Sequence, residues 1–432
     1  MRSARATLAA VTLTLAAGAL GPLATPVAPA SADSIDDCTV GRTQYLPQAS
    51  PAIAALGIPQ TWPLATGRGV TVAVVDSGVD PGNRHLRGAV LPGKSFVPGP
   101  PTEDVLGHGT GVAGIIAARY VKGSALLGAA PEATILPVRV FQDEDATGSR
   151  QVLYPPDAGR IAQGIEWAVR HGADVVNVSM SSRPTDAALP QVRRAVELAR
   201  RKDVLVVASG GNQEQDEPFT QVRFPAGAPG VLGVAASNTG GAVDNWSIHG
   251  PQNDVSAPGA EVLIAFHANG DCLAGADHAY TSWAAGFVTG LAAQLRERFP
   301  DESADQIAYR IMASADRPRQ ADRDDIRGWG QIRPYSALTM TIDPDRAGPP
   351  VPGQKAHAAA GPPESPVAPI AAEHDPLASA RVHALWFGLA AVGLGALALV
   401  LRPWLGRLVT GARPRRPRRP ERGRRRRLPD GA

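Results

Sequence analysis

Three short segments of this 432-residue chain carry side chains able to act together on a carbonyl group. Val74-Val75-Asp76-Ser77-Gly78-Val79-Asp80 puts a carboxylate at the end of an apolar run. Gly107-His108-Gly109-Thr110-Gly111-Val112-Ala113-Gly114 surrounds one imidazole with small residues, which leaves room for another chain to approach the ring. Thr281-Ser282-Trp283-Ala284-Ala285-Gly286 opens an apolar, helix-like stretch. A hydroxyl there sits at the positive end of a helix macrodipole, where a developing oxyanion is stabilised. Each segment alone has an ordinary reading, because Asp at a strand end and Ser or Thr at a helix start are common caps. Together they supply a nucleophile, a base and an acid that orients the base. Their order along the chain, Asp then His then Ser, is one of those in which such triads occur.

The elements that must position these groups are legible as alternating patterns. Gly69–Val75 is a continuous apolar run of the kind a buried parallel strand gives, and similar runs recur at Thr134–Val140, Val175–Val178, Val204–Ala208 and Val231–Ala235. Helical periodicity occupies His108–Ala118, Ala158–Arg170, Gln191–Arg201 and Ser282–Arg298. Strands alternating with helices of this length imply βαβ units, an α/β fold with an open parallel sheet and helices on both faces. In such a sheet function gathers where strands end and helices begin, which is the address of all three segments.

Composition narrows the class. Two cysteines, Cys38 and Cys272, exclude a disulfide-dense miniature scaffold and a four-cysteine zinc site, and leave room for one bridge. The net charge of +3 is a sum of unlike parts. Residues 402–432 hold twelve Arg against Glu421 and Asp430, residues 1–32 hold Arg2 and Arg5, and the body between carries the excess of acid. An acidic body argues against nucleic-acid binding.

The two ends predict a compartment. Arg2 and Arg5 precede an apolar stretch, Ala6–Leu20, and Ala30-Ser31-Ala32 reads as a signal-peptidase site, so 1–32 is expected to be a secretory signal. Ala384–Leu401 is uncharged and close to the roughly 20 residues that cross a hydrocarbon core. Trp386 and Trp404 flank it, and Arg crowds its C-terminal side. A single transmembrane helix over 382–401 follows, with the tail 402–432 in the cytoplasm beside anionic lipid and the body outside. Between them, 343–381 is a Pro/Ala/Gly-rich linker.

The segments VAVVDSGVD, GHGTGVAGI, VLVVASGGN, DVSAPG and TSWAAGFVTG resemble those of the subtilases, in order, across roughly 66–340. The architecture of signal, short extension (33–45), peptidase domain (46–342), spacer, anchor and tail is similar to that of the mycosins, the membrane-anchored subtilases associated with type VII secretion in actinobacteria. The resemblance implies a subtilisin-like, doubly wound fold and serine endopeptidase activity on polypeptides. It implies Asp76, His108 and Ser282 as the catalytic triad, and Asn212 with the backbone of Ser282 as the oxyanion hole. It implies Ser179-Met180-Ser181 as the segment that takes up substrate as an added strand. The chain departs from the family's usual residues at Tyr280, Trp283, Gly286, Ser181 and Gly111, and the first two together with Ser181 are expected to narrow the S1 side of the cleft.

In an oxidising exterior Cys38 and Cys272 are expected to pair and to pin the extension to the domain. Asp143-Glu144-Asp145 and Glu214, Asp216 and Glu217 form acidic loops without EF-hand spacing, and neither a metal nor another cofactor is expected. A second functional class stays open beside the protease: a structural component docked to membrane proteins of a secretion machine, with proteolysis weak or lost.

Overall fold

The computed structural model describes residues 43–353 except 106, 145–150, 183–187, 214–219, 319–321 and 344, together with Trp386 and Leu389. The expected signal segment, Cys38, the second acidic loop, most of the linker and the tail lie outside the described residues. Of the expected membrane segment only Trp386 and Leu389 are described, both helical and exposed. Among the described residues no helix is long and apolar enough to cross a membrane.

The centre of the domain is a seven-stranded sheet. In chain order its strands are β1 (Thr71–Asp76), β2 (Lys94–Ser95), β3 (Thr134–Arg139), β6 (Val175–Val178), β7 (Leu205–Ser209), β8 (Val231–Ser237) and β9 (Val255–Pro258). Two antiparallel pairs stand apart from it: β4 (Gln142–Glu144) with β5 (Gln151–Tyr154), and β10 (Val262–Phe266) with β11 (Gly270–Ala274). The spatial order is β2-β3-β1-β6-β7-β8-β9, and every neighbouring pair is parallel. From β1 the chain goes to the edge strand β2, comes back to β3 beside β1, and then crosses to β6 on the other side. The crevice between β1 and β6 is therefore the topological switch point, where ligands of open α/β sheets bind.

Strand alternation divides the apolar residues between two cores. Val72 and Val74 of β1 and Leu205 and Val207 of β7 face one core. Ala73 and Val75, with Val206 and Ala208, face the other. The first core is covered by α3 (His108–Ala117) and α6 (Thr281–Arg298), with α1 (Pro51–Ala55), α2 (Ile58–Thr61), α7 (Ala304–Ser314) and α8 (Pro334–Thr339) around them. The second is covered by α4 (Ala158–Arg170) and α5 (Leu189–Arg201), whose apolar residues lie on one side. Because both faces are buried, the strands read as unbroken apolar runs.

Helix α6 is buried from Thr281 to Leu295, which accounts for its small residues. A Cβ on Gly290 would lie 2.5 Å from the Ala129 Cβ, so the helix approaches the neighbouring loop at backbone range. Two polar pins fix it to β6: Asn177 Nδ2 donates to Thr289 Oγ1 at 2.8 Å, and Ser179 Oγ donates to the carbonyl of Ser282 at 3.0 Å. Sliding of the helix along the sheet would break both contacts and leave the buried Asn177 NH2 without Thr289.

Residues 43–50 run along the β10–β11 side. Asp271 N donates to the Gln44 carbonyl at 2.8 Å, Leu46 N donates to Asp271 Oδ2 at 3.0 Å, and Ala125 N donates to the Leu46 carbonyl at 2.8 Å. Cys272, the next residue of β11, is wholly buried.

Candidate active site

Asp76 is the last residue of β1 and has no exposed surface. Its Oδ1 accepts a hydrogen bond from Ser77 N at 2.8 Å, lies 3.2 Å from Ser77 Oγ, and faces His108 Nδ1 at 2.7 Å. Nδ1 opposite a carboxylate must carry the hydrogen, which leaves Nε2 as the basic nitrogen of the neutral ring. His108 begins α3 after Gly107, whose φ of 83° is left-handed and available to glycine at no steric cost. One residue on, a Cβ at Gly109 would come within 2.1 Å of the Gly78 carbonyl oxygen, so the turn after β1 and the start of α3 touch at backbone distance. The small residues around the imidazole thus let the Asp76 strand end come close enough for the 2.7 Å contact.

Helix α3 has no side-chain cap from its own N-cap residue. Asp104 performs that task from four residues before the histidine. Its Oδ1 accepts from Gly107 N at 3.1 Å and Ser77 Oγ at 2.7 Å, and its Oδ2 accepts from Thr110 N at 2.7 Å and Thr110 Oγ1 at 2.6 Å. Burial pushes the Asp104 carboxyl above the usual carboxylate range, with the Asp76 charge adding to the rise, while the bonds from Thr110 and Ser77 pull it back. The loop leading into Asp104 is held by Arg139, wholly buried at the end of β3, whose Nη1 donates to Glu103 Oε2 at 2.8 Å and to the Pro98 carbonyl at 3.1 Å. The sequence reading missed Asp104 and Ser77. The available signal was an acid just ahead of a helix whose N-cap is glycine.

Ser282 is the second residue of α6 and is buried. The capping alternative for Thr281 and Ser282 fails, because Tyr280 holds the N-cap position and no side chain bonds there as a cap. Thr281 instead reaches the end of β7. Its N and Oγ1 both donate to Asn212 Oδ1 at 3.0 Å, and its Oγ1 accepts from Gly211 N at 3.3 Å. Occupation of Oδ1 by two donors fixes which way the Asn212 amide is turned, with its NH2 on the side away from Thr281. Gly211 has a φ of 105°, and a Cβ there would lie 3.1 Å from Ser181 Oγ, so the strand-end turn that presents Asn212 also requires glycine.

The structure draws Asp76, His108, Ser282 and Asn212 to the carboxyl ends of β1 and β7 and to the facing helix N-termini. The segment after β6 lies with them. Ser179 and Met180 are buried: Ser179 Oγ is bonded to Asn177 Oδ1 at 2.8 Å and to the Ser282 carbonyl, and Met180 belongs to the second core. Of the three residues expected to take substrate, only Ser181 keeps part of its side chain exposed, so 179–180 can offer backbone alone.

One expectation is corrected. Tyr280 and Trp283 do not line the cleft. Trp283 is wholly buried, with its ring over Gly111, and Tyr280 is turned away by a bond from its hydroxyl to Asp277 Oδ2 at 3.0 Å and an edge contact with Trp246. The missing side chain at 111 makes the room that the indole occupies.

Among the described residues no group of His, Cys, Asp or Glu is arranged to hold a metal ion.

A nucleophile-bearing helix N-terminus, an oriented imidazole and a fixed amide at the switch point of a doubly wound sheet are the makings of an acyl-transfer hydrolase. Residues 67–330 match the Subtilase family, and the chain belongs to that family of serine endopeptidases. Among relatives it is similar to Mycosin-1 of Mycobacterium tuberculosis, with 34% identity over 385 residues, spanning 79% of this chain and 83% of that one. It is also 34% identical to Subtilisin E of Bacillus subtilis over 254 residues, 58% of this chain and 61% of that one. A solved structure of MycP1, described as a serine protease and an essential component of the type VII (ESX-1) secretion system, superposes with a TM-score of 0.60 at 29% identity, covering 70% of this chain and 91% of that one.

Proposed function

We propose that the chain is a membrane-anchored, extracytoplasmic serine endopeptidase linked to type VII secretion, acting through Asp76, His108 and Ser282. The observation that carries this is the 2.7 Å contact between Asp76 and His108 Nδ1 beside the N-terminus of the helix that bears Ser282. In the first step Ser282 Oγ bonds to the scissile carbonyl carbon. Its proton passes to His108 Nε2, and the carbonyl electron pair moves to the oxygen. The Asn212 NH2 and the backbone N–H of Ser282 donate to that oxygen, at the positive end of α6. His108 returns the proton to the leaving amine, the C–N bond breaks and an acyl-enzyme remains. Water then repeats the sequence to release the acid. Asp76 keeps the ring in the required tautomer and balances its transient positive charge. A polypeptide substrate would pair with the backbone of 179–181 as an added strand.

The burial of Cys272 and the bonds that tie Gln44 and Leu46 to its neighbour Asp271 support a Cys38–Cys272 bridge that clasps the extension to the domain. The apolar run 384–401 and the Arg-rich tail support an anchor with anionic lipid at its cytoplasmic end, and partners among membrane proteins of the secretion machine.

Complementation of a deletion strain with Ser282→Ala tests the role. Secretion that stays lost while the protein accumulates normally is the expected outcome. Full restoration would instead favour a docked structural component, the role suggested by the description of MycP1 as an essential part of its secretion system.

A further inference from the structure

Trp283 follows the nucleophile on α6, and its indole lies against the imidazole of His108, with ring centroids 5.0 Å apart and planes inclined by 39°. The indole is wholly buried. A Cβ on Gly111, one turn into α3, would lie 3.0 Å from Trp283 Cζ3, so the indole fills the space that glycine leaves. Trp283 Nε1 has no hydrogen-bond partner, so what the side chain contributes at this position comes from its ring surfaces.

Groups approach His108 from several packed elements, and after β10 the His267 Nε2 lies 3.4 Å from where a Cβ of the preceding Gly107 would be. From the end of β1, Asp76 meets Nδ1 in the plane of the ring. After β3, Phe141 approaches edge-on at 6.4 Å. Ahead of α3, Asp104 lies one hydroxyl away, through Ser77. From α6 comes the π system of Trp283. The negative charge thus sits in the ring plane and the aromatic surface off it.

We propose that Trp283 is a positioning residue for proton transfer: its π face stabilises the imidazolium that His108 becomes when it takes the Ser282 proton, and Gly111 is what lets the indole reach the ring. The inference rests on the protease reading given above. A cation within about 6 Å of an indole centroid and shielded from water is favoured by roughly two- to thirtyfold in equilibrium constant, which equals a displacement of about 0.4 to 1.5 pH units. The sign is fixed. Removing the π face disfavours the imidazolium, so the acidic limb of the rate profile moves to lower pH.

The test is the rate at which a fluorophosphonate labels Ser282 across about pH 5 to 9 in wild type, Trp283→Phe and Trp283→Met. Trp283→Met, which stays apolar and loses the π face, is expected to move the acidic limb down by roughly 0.4 to 1.5 units and to lower the plateau rate roughly two- to thirtyfold. Trp283→Phe is expected to retain most of the wild-type profile. An unmoved acidic limb in Trp283→Met, or equal displacement in both variants, would overturn the proposal, because loss of packing alone lowers the rate without moving the limb. Should Trp283→Met fail to fold, Gly111→Ala serves: its Cβ, 3.0 Å from Trp283 Cζ3, shifts the indole and moves the limb in the same direction by a smaller amount. Titration of the His108 Nδ1 proton by NMR in Ser282→Ala, with and without Gly111→Ala, needs no turnover. If the wild type is not labelled at Ser282 the protease reading fails, while this titration still decides the contact between Trp283 and His108.

Discussion

Removing the Asp271 carboxylate should release the N-terminal extension and destabilise the domain by an amount the structure sets. Asp271 and His85 are both buried without exposed side-chain surface, and Asp271 Oδ1 meets His85 Nε2 at 2.8 Å. The other ring nitrogen, Nδ1, meets the Arg119 carbonyl at 2.7 Å. Both ring nitrogens therefore have a polar partner. The second carboxylate oxygen holds Leu46 N. Asp271→Ala leaves a buried ring nitrogen unpaired and frees the Leu46 amide, a loss of about 3 to 5 kcal/mol for breaking a buried pair by removing one partner. For a domain of this size that lowers the unfolding midpoint by on the order of 10 °C. Asp271→Asn is milder, at about 1 kcal/mol, because its amide oxygen can take Leu46 N while its NH2 donates to His85 Nε2. Guanidinium unfolding under non-reducing conditions, followed by Trp fluorescence, measures the loss. Hydrogen exchange at Leu46 reports the release. The reasoning is refuted if Asp271→Ala unfolds within about 1 kcal/mol of wild type with the Leu46 amide still protected.

Three further outcomes are expected. Burial pushes the Asp254 carboxyl up to about 6 from 3.8, against a bond from Gly233 N and the charge of Arg323. A raised carboxyl means the folded state holds the extra proton, so stability falls as pH rises from about 4 to 6. The fall is at most about 3 kcal/mol, less for residual contact with water, and Asp254→Asn should flatten it in unfolding titrations. Asp104→Asn turns an NH2 toward donors that now meet a carboxylate, so it should cost about 3 kcal/mol in chemical unfolding and depress kcat by loosening the start of α3. Asn212→Ala should reduce kcat about 10² to 10³-fold with little change in KM on a peptide substrate, the size of loss found when a subtilisin loses this type of donor.

The parts of this fold that could be read in the sequence were those with one dominant period. The runs at β1, β3, β6, β7 and β8 and the helices α3 to α6 stand within a few residues of where their apolar patterns put them. Both sheet faces are buried, so nothing interrupted the pattern. The elements that were missed are short or make sense only in contact. β2 spans two residues, and the β10–β11 hairpin is held by Asn83, whose Nδ2 donates to the His267 and Gly270 carbonyls from a distant loop. Among the candidate site residues, Asp76, His108 and Ser282 stand out in the sequence because each lies at a strand end or helix start among small residues, whereas Asn212 follows only from the resemblance to the subtilases. Asp104 does not stand out, because its four donors come from residues 77 to 110 and are brought together by folding. Trp283 was misread for a related reason. Its size suggested a wall of the cleft, and only the space above Gly111, on another helix, decides that it points inward.

The most direct test of the account is the site of covalent modification by diisopropyl fluorophosphate, mapped by intact mass and peptide sequencing of the full chain. One adduct on Ser282, lost in His108→Ala and strongly slowed in Asn212→Ala, is the predicted result. An unmodified protein, or an adduct on Ser282 that forms as fast without His108, would contradict it.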